Sequence, residues 1–416
     1  MGLRPGYKHT DAGVIPQDWD CELISSVALL ESGHTPSKKK PCYWGGSVQW
    51  VSLHDTTALE GPEIAATAKT ITEEGLNHSS ARLLPPGTVV FSRTATVGKS
   101  TVMATSMATS QDFANYICGP KLHNHYLVYL FRSMGYTWQR LMAGSIHNTI
   151  YMPAFKALKI PVPPLAEQRS IASALSDVDG LLSCLDQLIA KKRNLKQAAM
   201  QQLLTGHTRL PGFQRKWGES RLGALGSIYG GLTGKTKSDF GDGEAKYITF
   251  TNVMKNVVID CSLFEPVRVS AAETQNLVAR GDLLLNGSSE TPEEVALCSL
   301  MDEDVPNLFL NSFCFGFRLK VTAGVDGLFL AYYIRSAEGR ELMKALAQGS
   351  TRYNLSKGAL LDALVRLPGK EEQVAIASVL SDMDAELSAL ETRREKTISV
   401  KRAMMQELLT GRIRLT

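Results

Sequence analysis

The segment Glu167 to Leu210 recurs without a gap as Glu372 to Leu415, a displacement of 205 residues in a chain of 416. About half of the paired positions are identical. The matches include Glu167-Gln168 with Glu372-Gln373, Leu175-Ser176-Asp177 with Leu380-Ser381-Asp382, and Leu203-Leu204-Thr205-Gly206 with Leu408-Leu409-Thr410-Gly411. A duplication of this length must be folded twice, so any architecture for the chain has to accommodate two copies of one unit.

Both copies read as long helices. Ile171, Leu175, Val178, Leu182, Leu185 and Ile189 advance by alternating steps of four and three, the spacing of a coiled-coil seam. The second copy offers Ile376, Leu380, Met383, Leu387 and Leu390, and the seam weakens at Arg394. Pro161, Pro163 and Pro164 precede the first helix, and Gly206 and Gly411 stand where left-handed C-terminal caps are expected. A helix from about Leu165 to Thr205 would be roughly 60 Å long at about 1.5 Å per residue. Two apolar seams of equal length can bury one another as an antiparallel pair. The second copy lacks a proline run, having Leu367-Pro368-Gly369-Lys370 instead, and this leaves its start less sharply marked.

The stretches before each helix also correspond. Trp50-Val51-Ser52-Leu53-His54-Asp55 resembles Tyr247-Ile248-Thr249-Phe250-Thr251-Asn252, and Gly87-Thr88-Val89-Val90-Phe91-Ser92 resembles Gly281-Asp282-Leu283-Leu284-Leu285-Asn286. Gly144-Ser145 falls opposite Gly349-Ser350. These are strand-like runs broken by Gly, Pro, Asn and Ser. The fold class expected is therefore α/β (α+β), with two mixed α/β domains separated by two long helices that pair as an antiparallel coiled coil. The boundaries read as residues 1–155 for the first domain, 156–209 for the central helix, 210–358 for the second domain and 359–416 for the last helix.

Composition narrows the function classes. Apolar residues make up 44% and charged residues 21%, which excludes a disordered or fibrous chain. The seven cysteines never form a C-x-x-C pair, which disfavours a disulfide framework and a zinc site. No stretch has the roughly 20 apolar residues of a membrane span, so the chain is expected to be cytoplasmic. Net charge is only +4, and the basic excess lies in one place: residues 151–216 carry 10 basic and 4 acidic side chains.

Elsewhere, basic and hydrogen-bonding residues gather in loops. In the first half they are Lys38, Lys39, Lys40, Ser92, Arg93, Thr94, Thr96 and Lys99. In the second they are Lys235, Lys237, Asn286, Ser288, Ser289, Arg352 and Tyr353. Such groups match base-edge donors and acceptors, while lysines favour phosphates. These residues are candidate DNA contacts.

Catalytic signatures are missing. Gly98-Lys99-Ser100 and Gly234-Lys235-Thr236 end like phosphate-binding loops, but Arg93 and Tyr229 replace the first glycine. Glu244-Ala245-Lys246 has no Pro-Asp partner, and His123-Asn124-His125 has no acidic or cysteine companion that would complete a metal site. No catalytic residue and no metal ligand is assigned.

A globule, a long helix, a second globule and a matching second helix resemble the specificity subunit of type I restriction-modification systems. The residues that carry the resemblance are Pro161 to Gln168, Leu175 to Asp179 and Leu203 to Gly206, with their second copies, and the opening Gly13 to Trp19. The resemblance implies a non-catalytic subunit whose two domains each read one half of a split double-stranded DNA target. It also implies partners: two methyltransferase subunits that bind S-adenosylmethionine, and two restriction subunits that use ATP and Mg to translocate and cleave. No cofactor is expected in this chain. Two alternatives stay open from the residues alone, a coiled-coil scaffold with two protein-binding globules, and the specificity part of a stand-alone methyltransferase. If the helices set the distance between half-sites, an inserted helical turn near Leu204-Thr205 should change the unread gap and preserve the half-sites.

Overall fold

In a computed structural model describing residues 5–143, 148–270 and 272–415, the two long helices run Leu165–Leu203 and Lys370–Leu408. Each has 39 residues, and their first residues lie 205 apart, as the repeat requires. The lack of a proline run before Lys370 does not blur that start. The Gly369 carbonyl accepts from both Glu372 and Gln373 N–H, as the Pro164 carbonyl accepts from Gln168 N–H. Gly144 and Ser145 lie outside the described residues.

Both helices end in the same capping motif. Gly206 and Gly411 adopt left-handed φ values of 71° and 69°. The N–H groups of Gly206 and Gly411 bond the carbonyls of Leu203 and Leu408, the inner bond of a Schellman-type cap, and those of Thr208 and Ile413 reach back six residues to the carbonyls of Gln202 and Glu407. The glycines are also places of close approach. A Cβ on Gly411 would fall 2.4 Å from Pro16 Cγ, and one on Gly206 would fall 3.1 Å from the Trp217 ring. Gly411→Ala therefore combines backbone strain with a clash against a rigid ring, and should cost the first unit about 1 to 3 kcal/mol. Gly206→Ala should cost less. Urea midpoints for the two variants check the order, and an unchanged Gly411→Ala midpoint would show that the turn relaxes freely.

The chain divides into two compact units, Met1–Gln187 with Thr392–Thr416, and Leu188–Glu391. Each unit thus combines one globule, the first half of that globule's own long helix and the second half of the other. This division cuts across the contiguous blocks read from the sequence.

In the first unit the main sheet has five strands in the order Ala28–Ser32, Phe113–Cys118, Val89–Ser92, Ser100–Met103 and Glu63–Ile64. Neighbours are antiparallel except for the last pair. A smaller sheet sets Trp44–Val51 between Met107–Thr109 and Thr70–Ile71. The second unit repeats the plan. Its main sheet runs Gly226–Gly230, Cys314–Leu319, Leu283–Asn286 and Cys298–Leu300, and a second sheet sets Phe240–Ile248 between Glu265–Val267 and Leu308–Leu310. The strand pairs matched in the sequence, Val89–Ser92 with Leu283–Asn286, both lie inside their main sheets.

A helix packs on each main sheet, Asn124–Ser133 in the first unit and Gly327–Arg335 in the second, and fills the core with aromatic and aliphatic side chains. The apolar face of each long helix joins these cores. Ile171 and Leu175 are buried with Phe131, Trp19 and the helix end Leu408-Leu409, and Ile376 and Leu380 with Phe329, Trp217 and Leu203-Leu204. The first turns of each seam are thus covered by a globule as well as by the end of the other long helix. Burying a Leu or Ile side chain contributes about 1.5 to 3 kcal/mol, so these turns fasten each globule to its helix. Farther along, Leu185, Ile189 and Leu387 are buried, while Val178, Leu182, Met383 and Leu390 are half-buried.

Candidate nucleic-acid interface

The residues identical in both copies explain how each globule is held. Asp179 of the first helix accepts the Tyr129 hydroxyl at 2.9 Å and pairs with Lys401 of the second helix at 2.5 Å. In the second unit Asp384 accepts the Tyr332 hydroxyl at 2.7 Å and pairs with Lys196. Each lysine also lies over the tyrosine ring, at 5.8 Å and 5.6 Å. Burial, followed by the adjoining carboxylate, holds both phenols well above the ordinary tyrosine range, so each keeps its proton and donates.

A second set of repeats is just as reciprocal. Glu167 is buried and receives Arg414 through two bonds of 2.6 and 2.8 Å, together with the Trp19 indole N–H at 2.9 Å. Glu372 receives Arg209 through bonds of 2.5 and 2.6 Å. The glutamines that follow are buried as well. The Gln168 side chain binds the carbonyls of Lys121 and Pro163 and the N–H of His123, and the Gln373 side chain binds the Pro368 carbonyl and the Asp326 N–H. Glu-Gln is therefore a joint between globule and helix, built twice.

Within each unit the long-helix segments run antiparallel. In the first, Asp179 pairs with Lys401 and Asp186 with Arg394. In the second, Lys192 pairs with Glu386 and Lys196 with Asp384. The basic run of the first helix thus meets acidic residues of the second, and its charge is largely matched inside the protein. Exposed pairs of this type contribute only about 0 to 1 kcal/mol each, but they fix the register.

Two further arginines brace the sheets. Arg132 donates to the carbonyls of Ser100, Leu59, Glu60 and Gly61, and Arg335 to those of Cys298, Val253, Met254 and Asn256. Burial pushes Arg335 down to about 10. Neither residue was singled out in the sequence. The only signal was their shared place three residues after Tyr129 and Tyr332.

The loop residues expected to meet DNA fall into three groups. Some are exposed: Lys38 and Lys39 in a turn, Lys40 over the Tyr43 ring at 5.0 Å, Lys237, and Arg352. Others are engaged by neighbours. Lys99 pairs with Glu60 at 2.6 Å, and Lys235 pairs with Glu273 at 2.6 Å while donating to the Arg268 carbonyl at 2.5 Å. The hydrogen bond from Lys235 draws the Glu273 carboxyl down to about 2. Arg93 is half-buried and donates to the Gln111 and Ile150 carbonyls, both at 2.9 Å.

The third group shapes the loops from inside. Ser92 bonds the Thr94 carbonyl and Thr96 hydroxyl, and Thr94 meets Thr149. Asn286 is buried, donates to the Ser288 and Glu294 carbonyls and accepts from Leu297 N–H. Ser288–Ser289 forms a short strand against Tyr353–Leu355, which joins two groups of expected residues that are far apart in sequence. The corresponding loops therefore share a frame. Arg93 N–H bonds the Asp112 carbonyl and Ile150 N–H bonds the Arg93 carbonyl, just as Gly287 N–H bonds Phe313 and Leu355 N–H bonds Gly287.

Two like frames with unlike loops match the family profile described as the type I restriction modification DNA specificity domain, which fits this chain twice, at residues 16–191 and 214–400. The chain belongs to that specificity family. Within it, the chain is 33% identical over 178 residues to the type I restriction enzyme MjaIX specificity subunit of Methanocaldococcus jannaschii, covering 42% of this chain and 41% of that one. It thus spans less than half the length of that relative. The StySPI specificity subunit of Salmonella potsdam is 22% identical, with 97% of this chain and 90% of that one covered. In fold, the chain resembles the type I restriction-modification S subunit from M. genitalium, with a TM-score of 0.58, 15% identity and coverage of 98% and 99%. It also resembles the HsdS subunit from Thermoanaerobacter tengcongensis, with a TM-score of 0.52, 18% identity and coverage of 96% and 98%. Among the described residues, no helix of this specificity subunit is long and apolar enough to cross a membrane.

Proposed function

We propose that this specificity subunit reads a bipartite double-stranded DNA target, one half-site per unit, and directs modification and restriction carried out by partner subunits. The observation that carries this reading is the repeated loop frame. The bonds Arg93–Asp112 and Gly287–Phe313 hold equivalent backbone positions while presenting different side chains, as two readers of different sequences require. Each good bidentate base contact would contribute about 1 to 3 kcal/mol of discrimination.

The partners are two methyltransferase subunits and two restriction and translocation subunits, and the complex works in the cytoplasm. S-adenosylmethionine belongs to the methyltransferase subunits, and ATP with Mg to the restriction subunits. This chain contributes the choice of sequence and binds no cofactor. The assembled complex is a DNA adenine methyltransferase and an ATP-dependent endonuclease. Methylation takes the adenine out of the base stack, at a cost of a few kcal/mol borne by the whole complex.

Sequencing modified adenines in a strain with and without the chain should show one split motif that depends on it. Exchanging residues 1–150 for the corresponding part of another specificity subunit should change one half-site and leave the other intact. A change in both half-sites would contradict separate reading.

A further inference from the structure

We propose that Arg352, held over the exposed ring of Phe313, reads a guanine in the half-site bound by the second unit. This rests on the DNA reading above and adds to it a residue, a base and a supporting ring.

Two tight turns that are distant in sequence bring the pair together. In the turn at Asn311–Cys314, Cys314 N–H bonds the Asn311 carbonyl at 3.0 Å and the Asn311 side chain accepts Phe313 N–H at 2.9 Å. Gly287 N–H bonds the Phe313 carbonyl at 2.8 Å. The backbone of Phe313 is thus pinned on both sides, yet the residue is 56% exposed. Arg352 ends the turn between the strands Ala347–Gln348 and Tyr353–Leu355. Gly349 makes that turn possible, with a φ of 131° and an absent Cβ that would fall 2.2 Å from the Arg352 carbonyl.

The Arg352 guanidinium lies 5.3 Å from the Phe313 ring centroid and, among the described residues, has no carboxylate or carbonyl partner. This distinguishes it from Arg93, Arg132, Arg209, Arg335 and Arg414, whose guanidinium groups bind carbonyls or carboxylates within the protein. Phe313 gains little from the fold at its level of exposure. Its ring instead restricts the guanidinium by cation–π contact and leaves the N–H edges free. A flat, oriented guanidinium with open donors is suited to the O6 and N7 acceptors of guanine in the major groove, a bidentate match that other base edges do not offer.

The first unit shows that the pair is particular to one reader. Its frame places Asp112 where the second unit has Phe313, and Asp112 accepts the Ser110 hydroxyl at 2.8 Å. The support is common to both units and the presented chemistry differs.

The test uses the full chain in complex with its methyltransferase subunits, at fixed salt. Methylation rates are measured on duplexes in which each base pair of both half-sites is replaced in turn, with the second unit's half-site assigned by the exchange described above. Arg352→Ala should lower discrimination about 10- to 100-fold at one G·C pair of that half-site, with every other position unaffected. Phe313→Ala should weaken discrimination at the same pair by a smaller factor. Arg352→Lys, which keeps the charge but not the planar fork, should fail to restore it. Both side chains are exposed, and unchanged thermal unfolding would show the variants folded. The proposal is overturned if Arg352→Ala keeps wild-type discrimination at every position, if its effect falls in the other half-site, or if the second half-site contains no G·C pair. If the wild-type complex ignores every base of the second half-site, bipartite reading itself fails, and that outcome is visible before any variant is made.

Discussion

Arg209→Met is expected to destabilise the second unit by about 3 kcal/mol, and adding Glu372→Gln should recover most of the loss. The physical reason is the exposure of the partners: the Glu372 side chain is only 2% exposed, and Arg209 supplies both of its charge-assisted bonds. Removing one member of such a pair leaves a buried charge uncompensated, at a cost of about 3 to 5 kcal/mol, whereas removing both charges is far milder. Met keeps the aliphatic length that packs beside Trp217, whose ring lies 5.8 Å from the guanidinium. Arg414→Met in the first unit should cost less, because Glu167 retains the Trp19 indole N–H. Among the described residues, the Trp217 indole N–H of the second unit has no hydrogen-bond partner. Hydrogen exchange in residues 217–230 and 364–380 reads the effect locally. Equal protection in wild type and Arg209→Met, or a double variant no better than the single one, would refute this account.

Lengthening both long helices by one turn should widen the unread gap between half-sites by one or two base pairs and leave the half-sites unchanged. The position matters. Leu204 is fully buried in the second unit's core and Gly206 caps the helix against Trp217, so an insertion at Leu204-Thr205 would damage the joint it is meant to move. The structure favours four residues between Gln187 and Leu188 and four between Glu391 and Thr392, where the chain passes from one unit to the other. Each insertion adds about 6 Å of helix, against about 3.4 Å per base pair. Inserting in one helix alone leaves the pairs Lys192–Glu386 and Lys196–Asp384 on one side of the insertion and Asp179–Lys401 and Asp186–Arg394 on the other, so the two sets can no longer form in one register, and the subunit should be destabilised. Methylome sequencing decides the matter: altered half-sites with an unaltered gap would show that the helices do not set the spacing.

Much of this was legible in the sequence because a duplication carries its own control. The 205-residue displacement predicted two helices of one length, and Leu165–Leu203 and Lys370–Leu408 have it. What periodicity does not reveal is what covers an apolar face. Ile171 and Ile376 lie at seam positions, yet globule side chains bury them. Identity between copies was the better guide to function, since Glu167, Asp179 and Lys196 match Glu372, Asp384 and Lys401, and these pair across copies. Single loop residues were harder to read. The partner that occupies Lys235, Glu273, lies 38 positions away, and nothing in the pattern distinguishes an exposed Phe313 from a core Phe315.

The division of the chain also orders its assembly in time. Residues 188–391 contain every segment of the second unit, so that unit has all its parts once residue 391 has been synthesised. The first unit does not. Its core includes Leu408 and Leu409, and Arg414 is the partner of its buried Glu167. Domains usually fold in the order of their synthesis. Here the domain made first must wait, with Ile171, Leu175 and Trp19 incompletely covered, until Leu408, Leu409 and Arg414 arrive to close it.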